Sequence, residues 1–340
     1  MSAVAEIVAD VRARGDVALR DWALRLDGVQ PKQAEPASDI PEAALRSLAD
    51  AVRRWHALQR PREVTLEVAP GVELTRRWLP LRSVGIYVPR GLISTLVMCA
   101  VPAQVAGVER IVVVTPPADA GPVAAAAQRL GLAEVWAVGG PHAVAALAYG
   151  TESIVRVDKI VGPGNAYVNE AKLLVARDVA IDLPAGPSEV VVLAGAGADR
   201  SAAALELAAQ AEHGADAVCR LVEVDGDAER ALAEIEALAP EHLVLLGDDA
   251  EALAPRVRNA GAVFVGRWSA VAAGDYATGG NHVLPTGGWA RAVGGLGLET
   301  FLKPISFQRL TREGLARLRP VVEALAAVEG MPAHAEAVRR

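Results

Sequence analysis

"RIVVVTPPADAGPVAAAAQRLGLAEVWAVGG", residues 110–140, decides the fold of this chain. A short apolar run, a turn with two prolines, an Ala-rich segment of helix length and a second apolar run ending in Gly-Gly follow one another within it. Strands that alternate with helix-length segments build parallel, doubly wound sheets. The stretch therefore predicts one unit of an α/β domain.

The same alternation continues on both sides of that stretch. Short strands are predicted at 83–89, 110–117, 134–140, 157–165, 179–195, 219–224, 242–247 and 262–266. Helix-length, Ala-rich segments such as 119–130 and 201–213 separate most of them. We expect two α/β units with a boundary near Ser188. An all-α lead-in should precede them, with helices at 3–26 (broken at Gly15) and 41–59, and a helical tail should follow from about Leu298.

Composition and charge exclude several classes of protein. A chain of 340 residues fits about two domains, and 52% apolar against 22% charged residues argues against disorder. The net charge of -7, without basic blocks, argues against a nucleic-acid partner. Cys99 and Cys219 are too few for a disulfide framework or a thiolate zinc cage. Any metal must therefore use His, carboxylate or amide ligands.

No segment has the pattern of a membrane span or a signal peptide. The longest apolar run, from Leu92, is shorter than the ~20 residues of a typical span, and Pro102 and Gln104 interrupt it. The N-terminal stretch carries Glu6 and Asp10 where a signal peptide would be basic and then apolar. We expect a cytoplasmic protein without a membrane partner.

Two glycine turns follow predicted strands, Gly139-Gly140 and "GPGN" at 162–165. Ligands of parallel sheets bind at the carboxyl ends of strands, and glycines there let a phosphate approach a helix N-terminus. Neither turn is a G-x-G-x-x-G fingerprint, so ordinary turn geometry fits equally well. His142, just after the first turn, suits helix capping or contact with a cofactor.

The histidines differ in their neighbours. Gln210 and His213 in "QAEHGADA" are three residues apart on a predicted helix, which suits a metal-ligand pair or a histidine at a helix C-terminus. Glu241 and His242 in "PEHL" fit a polar turn or a general-base pair. His56 lies on an Arg-rich helix, where a solvated surface position is predicted.

The segment "AGDYATGGNHVLPTGG", 273–288, has five glycines and neither a helical nor a strand period, so it cannot be explained as core. It carries Asp275 and His282. Near the C-terminus, "VEGMPAHAEA" adds Glu329 and His334. Together with Gln210, His213, Glu241 and His242, these side chains provide the mixed nitrogen and oxygen ligands that zinc accepts. They also include further acids and bases.

The chain resembles the histidinol dehydrogenase family over nearly its whole length. The stretches that carry the resemblance include "GIYVPRG", "AVGGPHAVAALAYGTESIVRVDKIVGPGNAYVNEAK", "IDLPAGPSEV", "QAEHGADA", "APEHL", "AGDYATGGNHVLPT" and "PAHAEAV". The last five occur in the order found in the family, which makes a chance match implausible.

The resemblance implies an enzyme that oxidises L-histidinol through L-histidinaldehyde to L-histidine with two NAD, the last step of histidine biosynthesis. It implies one zinc per subunit, and as zinc ligands Gln210, His213, Asp275 and His334. Glu241 and His242 become the acid/base pair. The implied substrate contacts are Ser188, His282 and Glu329, together with His242 and the four zinc ligands. The implied cofactor contacts are Tyr87, Asn165 and His142, the last where the family usually has glutamine.

The resemblance also implies two incomplete Rossmann-like, doubly wound domains and a homodimer with shared active sites. Residues 87–189 would form the nucleotide-binding domain, and 1–86 with 190–297 the catalytic, zinc-binding domain. The tail, 298–340, would serve dimerisation and reach into the site of the partner.

The chain departs from the family in places. "VPRG" replaces the usual "VPGG", the loop after it is short, both chain ends are short, and a block of several dozen residues is missing between "QAEHGADA" and "APEHL". These losses bear on the completeness of the catalytic sheet and the extent of the dimer. Two alternatives stay open: a related zinc- and NAD-dependent dehydrogenase of another small alcohol, and a shortened paralogue without catalysis.

Overall fold

The computed structural model describes residues 2–37, 39–184 and 186–340. Its helices are α1 (Ala3–Arg14), α2 (Asp16–Leu26), α3 (Glu42–Ala57), α4 (Ile93–Ala106), α5 (Ala120–Arg129), α6 (Gly140–Tyr149), α7 (Ala166–Val175), α8 (Arg200–Ala211), α9 (Ala228–Leu238), α10 (Ala250–Leu253), α11 (Val271–Tyr276), α12 (Arg312–Val328) and α13 (Pro332–Ala337). Its strands are β1 (Lys32–Gln33), β2 (Val64–Ala69), β3 (Val72–Pro80), β4 (Ser83–Tyr87), β5 (Arg110–Thr115), β6 (Glu134–Ala137), β7 (Lys159–Val161), β8 (Ala180–Ile181), β9 (Glu189–Ala194), β10 (Val218–Glu223), β11 (His242–Leu246), β12 (Ala262–Val265) and β13 (Leu302–Leu310).

The chain divides into two compact units. The first comprises Met1–Gln59 and Leu81–Phe301, and the second comprises Arg60–Pro80 and Leu302–Arg340. In the described part of the chain, no helix combines the length and the apolar character that crossing a membrane requires.

The first unit contains a six-stranded sheet with the strand order β1-β6-β5-β4-β7-β8. All neighbours pair in parallel except β1, which runs antiparallel to β6. Helix α6 packs closely over the middle of this sheet, because a Cβ atom at Gly85 would lie 2.9 Å from the side chain of Leu147. The expected strand and helix alternation of 110–140 is confirmed as β5, α5 and β6.

A second, four-stranded parallel sheet of the same unit has the order β10-β9-β11-β12. Successive residues of β9 point to opposite faces. Val191 packs in a core with Ile235 of α9, and Val192 packs in another core with Ala203 of α8. Both faces of this sheet are therefore covered by helices, and the predicted α/β class with parallel sheets is confirmed.

The segment 179–195 was expected to be one strand, and this is wrong. It contains β8, the edge of the six-stranded sheet, and β9, an inner strand of the four-stranded sheet. Pro184 and Pro187 stand between them, and neither can donate a backbone hydrogen bond to a sheet.

The second unit is built on a three-stranded antiparallel sheet with the order β13-β3-β2. The hairpin between β2 and β3 turns at Gly71, whose φ is +79°, a value that favours glycine. Helices α12 and α13 confirm the helical tail, but it begins at Arg312 and not near Leu298, because Leu302–Leu310 form β13. Helices α1 to α3 confirm the helical lead-in. The strands β1, β2, β3 and β13 were not predicted, although "VTLEV" and "VEL" show the alternation of a hairpin.

Candidate active site

Glu241 and His242 lie at the start of β11, the strand between β9 and β12 in the four-stranded sheet. Both side chains are buried. The carboxylate oxygen Oε2 of Glu241 accepts hydrogen bonds from the hydroxyl of Ser188 at 2.7 Å and from the backbone N–H of Glu189 at 2.8 Å. The residue before the neighbouring strand β12 packs closely here, because a Cβ at Gly261 would lie 2.5 Å from the Glu241 carbonyl oxygen. The backbone around Glu241 is thus closely packed.

His242 has one ring nitrogen engaged and one free. Its Nδ1 lies 3.0 Å from the carbonyl oxygen of Glu189 and 3.5 Å from Oε2 of Glu241. Its Nε2 is buried without a hydrogen-bond partner among the described residues. If Nδ1 donates to the carbonyl, Nε2 keeps its lone pair and can accept a proton.

Charge around the imidazole raises the pKa of His242 above its ordinary value. Burial, the largest single influence, lowers the pKa, but the hydrogen bond and charge of Glu241 and the charge of Asp275 together outweigh it. The neighbouring carboxylates thus favour the imidazolium form that a base becomes after it has taken a proton.

Asp275 lies between two histidines, His242 and His282. Its Oδ1 lies 3.9 Å from Nε2 of His242 and 3.9 Å from Nδ1 of His282. His282 has both ring nitrogens engaged, Nδ1 with the Asp275 carbonyl oxygen at 3.2 Å and Nε2 with the hydroxyl of Thr95 at 3.0 Å. Burial lowers the pKa of His282. The glycine-rich segment 273–288 therefore brings Asp275, with His282 beside it, close to His242 at the start of β11.

The same segment is anchored on helix α3. Gly279 has a φ of +90°, and a Cβ there would lie 2.6 Å from the backbone of Ala51. Asn281 donates to the carbonyl oxygen of Met98 at 2.7 Å and lies 3.4 Å from Nε2 of His56. His56 is fully buried, so its predicted surface position is wrong. The signal for burial was present, because His56 follows Val52 by four residues on the apolar face of α3.

Replacing Gly279 by alanine is expected to detach the segment from α3. The new Cβ adds both an unfavourable backbone conformation and a clash with main-chain atoms, a combined cost of roughly 1–3 kcal/mol. Denaturant unfolding should show this loss, and hydrogen exchange of the amides of 273–288 should accelerate. Gly280→Ala is the matched control, since the nearest atom to its Cβ would be Thr278 Oγ1 at 3.6 Å. Equal exchange in the two variants would contradict this anchoring.

Two residues that sequence reasoning missed support the site. The carboxylate of Glu189 accepts from the backbone N–H of Glu241 at 3.3 Å and of Gly287 at 2.9 Å, which ties β11 to the glycine-rich segment. Glu206 accepts from the backbone N–H of Val271 at the start of α11, at 3.2 Å. Burial raises the pKa of Glu206. Glu206 lies one helical turn before Gln210, and that spacing was the available signal.

Gln210 and His213 lie at the C-terminal end of α8. Gln210 is 3% exposed, and its Nε2 has no hydrogen-bond partner among the described residues. His213 is exposed, with Nδ1 at 3.3 Å from the Gln210 carbonyl oxygen. The guanidinium of Arg90 donates to the His213 carbonyl oxygen at 3.3 Å. Arg90 has a φ of +50°, in the left-handed region that favours glycine.

The predicted zinc ligands Gln210, His213 and Asp275 carry nitrogen and oxygen donors of the kind that zinc accepts. Nε2 of Gln210 is a buried N–H donor without a partner among the described residues, whereas a metal would bind the amide oxygen of this side chain. Residues 2–37, 39–184 and 186–340 of this chain contain no group of three or more His, Cys, Asp and Glu side chains that could hold a metal. The remaining sequence-predicted residues, Glu329 and His334, are exposed and belong to the second unit.

The backbone N–H groups of the Gly139-Gly140 turn donate to side chains of the protein itself. The backbone N–H of Gly140 donates to the hydroxyl of Tyr87 at 3.1 Å, and that of Gly139 donates to Asp27 at 3.1 Å. Burial raises the pKa of Tyr87 to about 12. His142 is fully buried, with Nε2 at 3.1 Å from Asp27. Ordinary turn chemistry thus accounts for these two amides.

The "GPGN" turn differs from the Gly139-Gly140 turn because it exposes a polar side chain. Asn165 is exposed, and its side chain accepts from the backbone N–H of Val168 at 3.0 Å, which caps helix α7. Of the three sequence-predicted cofactor residues, Asn165 alone is exposed, whereas Tyr87 and His142 are buried beneath the neighbouring turn.

The sequence model of the histidinol dehydrogenase family matches residues 1–228 and 223–340. The two matched segments overlap at 223–228, from the end of β10 to the start of α9.

Individual relatives agree with this match. Histidinol dehydrogenase of Methanothermobacter thermautotrophicus is 42% identical over 392 aligned positions, which cover 99% of this chain and 92% of that protein. The enzyme of Vibrio vulnificus is 40% identical and covers 99% and 90%. The crystal structure of histidinol dehydrogenase from Elizabethkingia anophelis has a TM-score of 0.91 at 33% identity, covering 99% and 90%. This chain belongs to the histidinol dehydrogenase family of enzymes.

Proposed function

We propose that this chain oxidises L-histidinol to L-histidine through L-histidinaldehyde, with two NAD and one zinc per subunit. The observation that carries the proposal is the buried pair of Glu241 and His242, with the free Nε2 of His242 facing Asp275. Family membership supports the same reaction.

Zinc would be held by Gln210, His213 and Asp275 of one subunit and by His334 of the partner subunit. Bound zinc would orient the amino and imidazole nitrogens of the substrate, and bound NAD would accept the hydride in each oxidation. Ser188, His282 and Glu329 would contact the substrate. The hydrogen bond from Ser188 to Glu241 supports a place for Ser188 beside the reacting carbon.

His242 would act as the base in both oxidations. Its Nδ1 is fixed on the Glu189 carbonyl oxygen, so Nε2 would take the hydroxyl proton as the hydride leaves the substrate carbon. Glu241 would take a proton from water, which then adds to the aldehyde carbon. His242 would accept the second hydroxyl proton when the hydrated aldehyde is oxidised. Glu241 and His242 are neighbours at the start of β11, which suits successive proton transfers at one site.

The coenzyme would bind at the carboxyl ends of β4, β6 and β7. Asn165 is the exposed candidate for a direct contact there. Tyr87 and His142 would contribute from beneath the Gly139-Gly140 turn, to which their side chains are tied. The nucleotide-binding domain would comprise 87–189, and the catalytic domain 1–86 with 190–297.

The dimer is part of the proposal. Residues 298–340 would form the dimerisation tail of a cytoplasmic homodimer. His334 and Glu329 of that tail would complete the site of the partner, so each active site would be shared between two chains.

An assay of NADH formation with a set of alcohols tests the substrate. L-histidinol should be oxidised, whereas analogues that lack the amino group or the imidazole should lose about 10⁴-fold or more in kcat/KM, because a site built for polar groups rejects analogues without them. A preference for a different small alcohol would assign the chain to a related dehydrogenase instead.

The purified protein is expected to carry about one zinc per chain, as a site with a single metal requires. His213→Ala should remove the zinc and leave the α/β fold intact, because the ligand lies exposed at the end of α8. Elemental analysis and circular dichroism measure the two effects. Glu212→Ala, the exposed neighbour, is the control that should keep its zinc. Undiminished zinc in the His213 variant would contradict the ligand assignment.

A further inference from the structure

The "GPGN" turn is held in an unusual conformation. Gly162 has a φ of +105°, and a Cβ at this position would lie 2.2 Å from the carbonyl oxygen of Tyr87. The turn therefore lies directly on the backbone at the end of β4. It opens helix α7, whose N-terminal cap is Asn165.

A buried ion pair lies beneath this turn. Lys172 in α7 and Asp182, just after β8, approach to 2.5 Å between Nζ and Oδ1, and each side chain is 2% exposed. Neither residue belongs to the proposed zinc, substrate or proton-transfer groups. A buried charged pair with no role in the chemistry calls for another explanation.

The other contacts of the pair converge on one residue. The backbone N–H of Gly162 donates to Oδ2 of Asp182 at 2.7 Å. Lys172 donates to the carbonyl oxygen of Gly162 at 2.8 Å. Both backbone polar groups of Gly162 are thus fixed by the two members of the pair, in a closed ring of three hydrogen bonds.

Stability alone does not require this arrangement. Replacing a buried ion pair by apolar side chains of similar volume is often neutral or stabilising, because the charges lose their hydration when they are buried. Apolar side chains cannot, however, hold the N–H and C=O of Gly162 in fixed directions. What the ion pair uniquely provides is the orientation of the turn.

We propose that Lys172 and Asp182 are positioning residues for the coenzyme. They hold the 162–165 turn, and with it Asn165, in the conformation that receives NAD. The inference rests on the proposed function, since it takes NAD as the ligand of this turn. Its consequence is specific: loss of the ring weakens NAD binding and leaves histidinol and zinc binding unchanged.

The test compares single and double variants by calorimetric titration with NAD and by thermal unfolding. Lys172→Met and Asp182→Leu should each lower Tm, because each leaves one buried charge unpaired. The double variant should recover most of that loss. Its Kd for NAD should nevertheless stay at least tenfold above wild type, with zinc content and the KM for histidinol unchanged.

Two outcomes overturn the inference in different ways. A double variant that recovers both Tm and the wild-type Kd for NAD shows that the pair serves folding alone, and the proposed function stands. A wild-type protein that binds no NAD overturns both together. If that apolar pair does not fold, Lys172→Leu with Asp182→Val, which also offer Gly162 neither a donor nor an acceptor, replaces it, and the same outcomes decide.

Discussion

His242→Asn is expected to lower kcat for both oxidations by about 10²–10⁴-fold, the usual contribution of a positioned general base. Asparagine can occupy the same place beside the Glu189 carbonyl oxygen but has no basic nitrogen to take the hydroxyl proton. Each oxidation is measured separately, from L-histidinol and from supplied L-histidinaldehyde, by NADH formation. If the variant retains a wild-type rate in either half, His242 is not the base of that half.

Glu241→Gln should slow the two oxidations to different extents. The amide can still accept the hydrogen bonds of Ser188 and the Glu189 N–H, which hold the carboxylate at 2.7 and 2.8 Å, but it cannot take a proton from water. The oxidation of the aldehyde should therefore slow more than the oxidation of the alcohol.

Glu206→Gln is the control for charge alone. The Glu206 carboxylate interacts electrostatically with Asp275 and His242, but no proton transfer is proposed for it. This variant should affect both halves alike. Equal losses in the two halves for Glu241→Gln would show that the water is activated by another group.

Mixing two inactive variants should restore activity if the site is shared. His213→Ala and His334→Ala homodimers each lack a ligand in both sites. In a heterodimer one site has all four ligands and the other lacks two. Random exchange of equal amounts places one complete site in half of the dimers, so about one quarter of wild-type activity is expected from two-fold symmetry.

The matched control mixes His213→Ala with Asp275→Ala. Both ligands would come from the same chain, so no heterodimer contains a complete site and the mixture should stay inactive. Mass spectrometry of differently labelled subunits verifies exchange. If verified heterodimers of the first mixture are inactive, or if the active protein is a monomer, each site is closed within one subunit.

The sequence predicted element types better than strand partners. The apolar runs at 110–117, 134–140 and 242–247 contain β5, β6 and β11, because a buried parallel strand is a short apolar run between helices. The prediction of one strand over 179–195 is wrong, because periodicity does not show that a chain leaves one sheet and enters another. Strand β13 was also missed, because it pairs with β3, more than two hundred residues earlier.

The candidate site was predictable as a set of residues but not as a geometry. Spacing and residue type suggested Glu241 with His242 and Gln210 with His213, and the resemblance assigned their roles. The contribution of Glu189 depends on hydrogen bonds to Glu241 and Gly287, which are distant in the chain. Only the fold reveals such contacts. Lys172 and Asp182 are only 10 residues apart in the chain, but their burial and their shared contacts with Gly162 also appear only in the fold.

The central claim is the four-electron oxidation, and the ratio of products tests it most directly. Zinc-loaded protein supplied with L-histidinol and excess NAD should form two NADH for each L-histidine, with both quantified in the same sample. A trap such as semicarbazide should collect no free aldehyde, because the intermediate stays in the site. One NADH per histidinol with trapped L-histidinaldehyde, or no NADH at all, would contradict the proposed function.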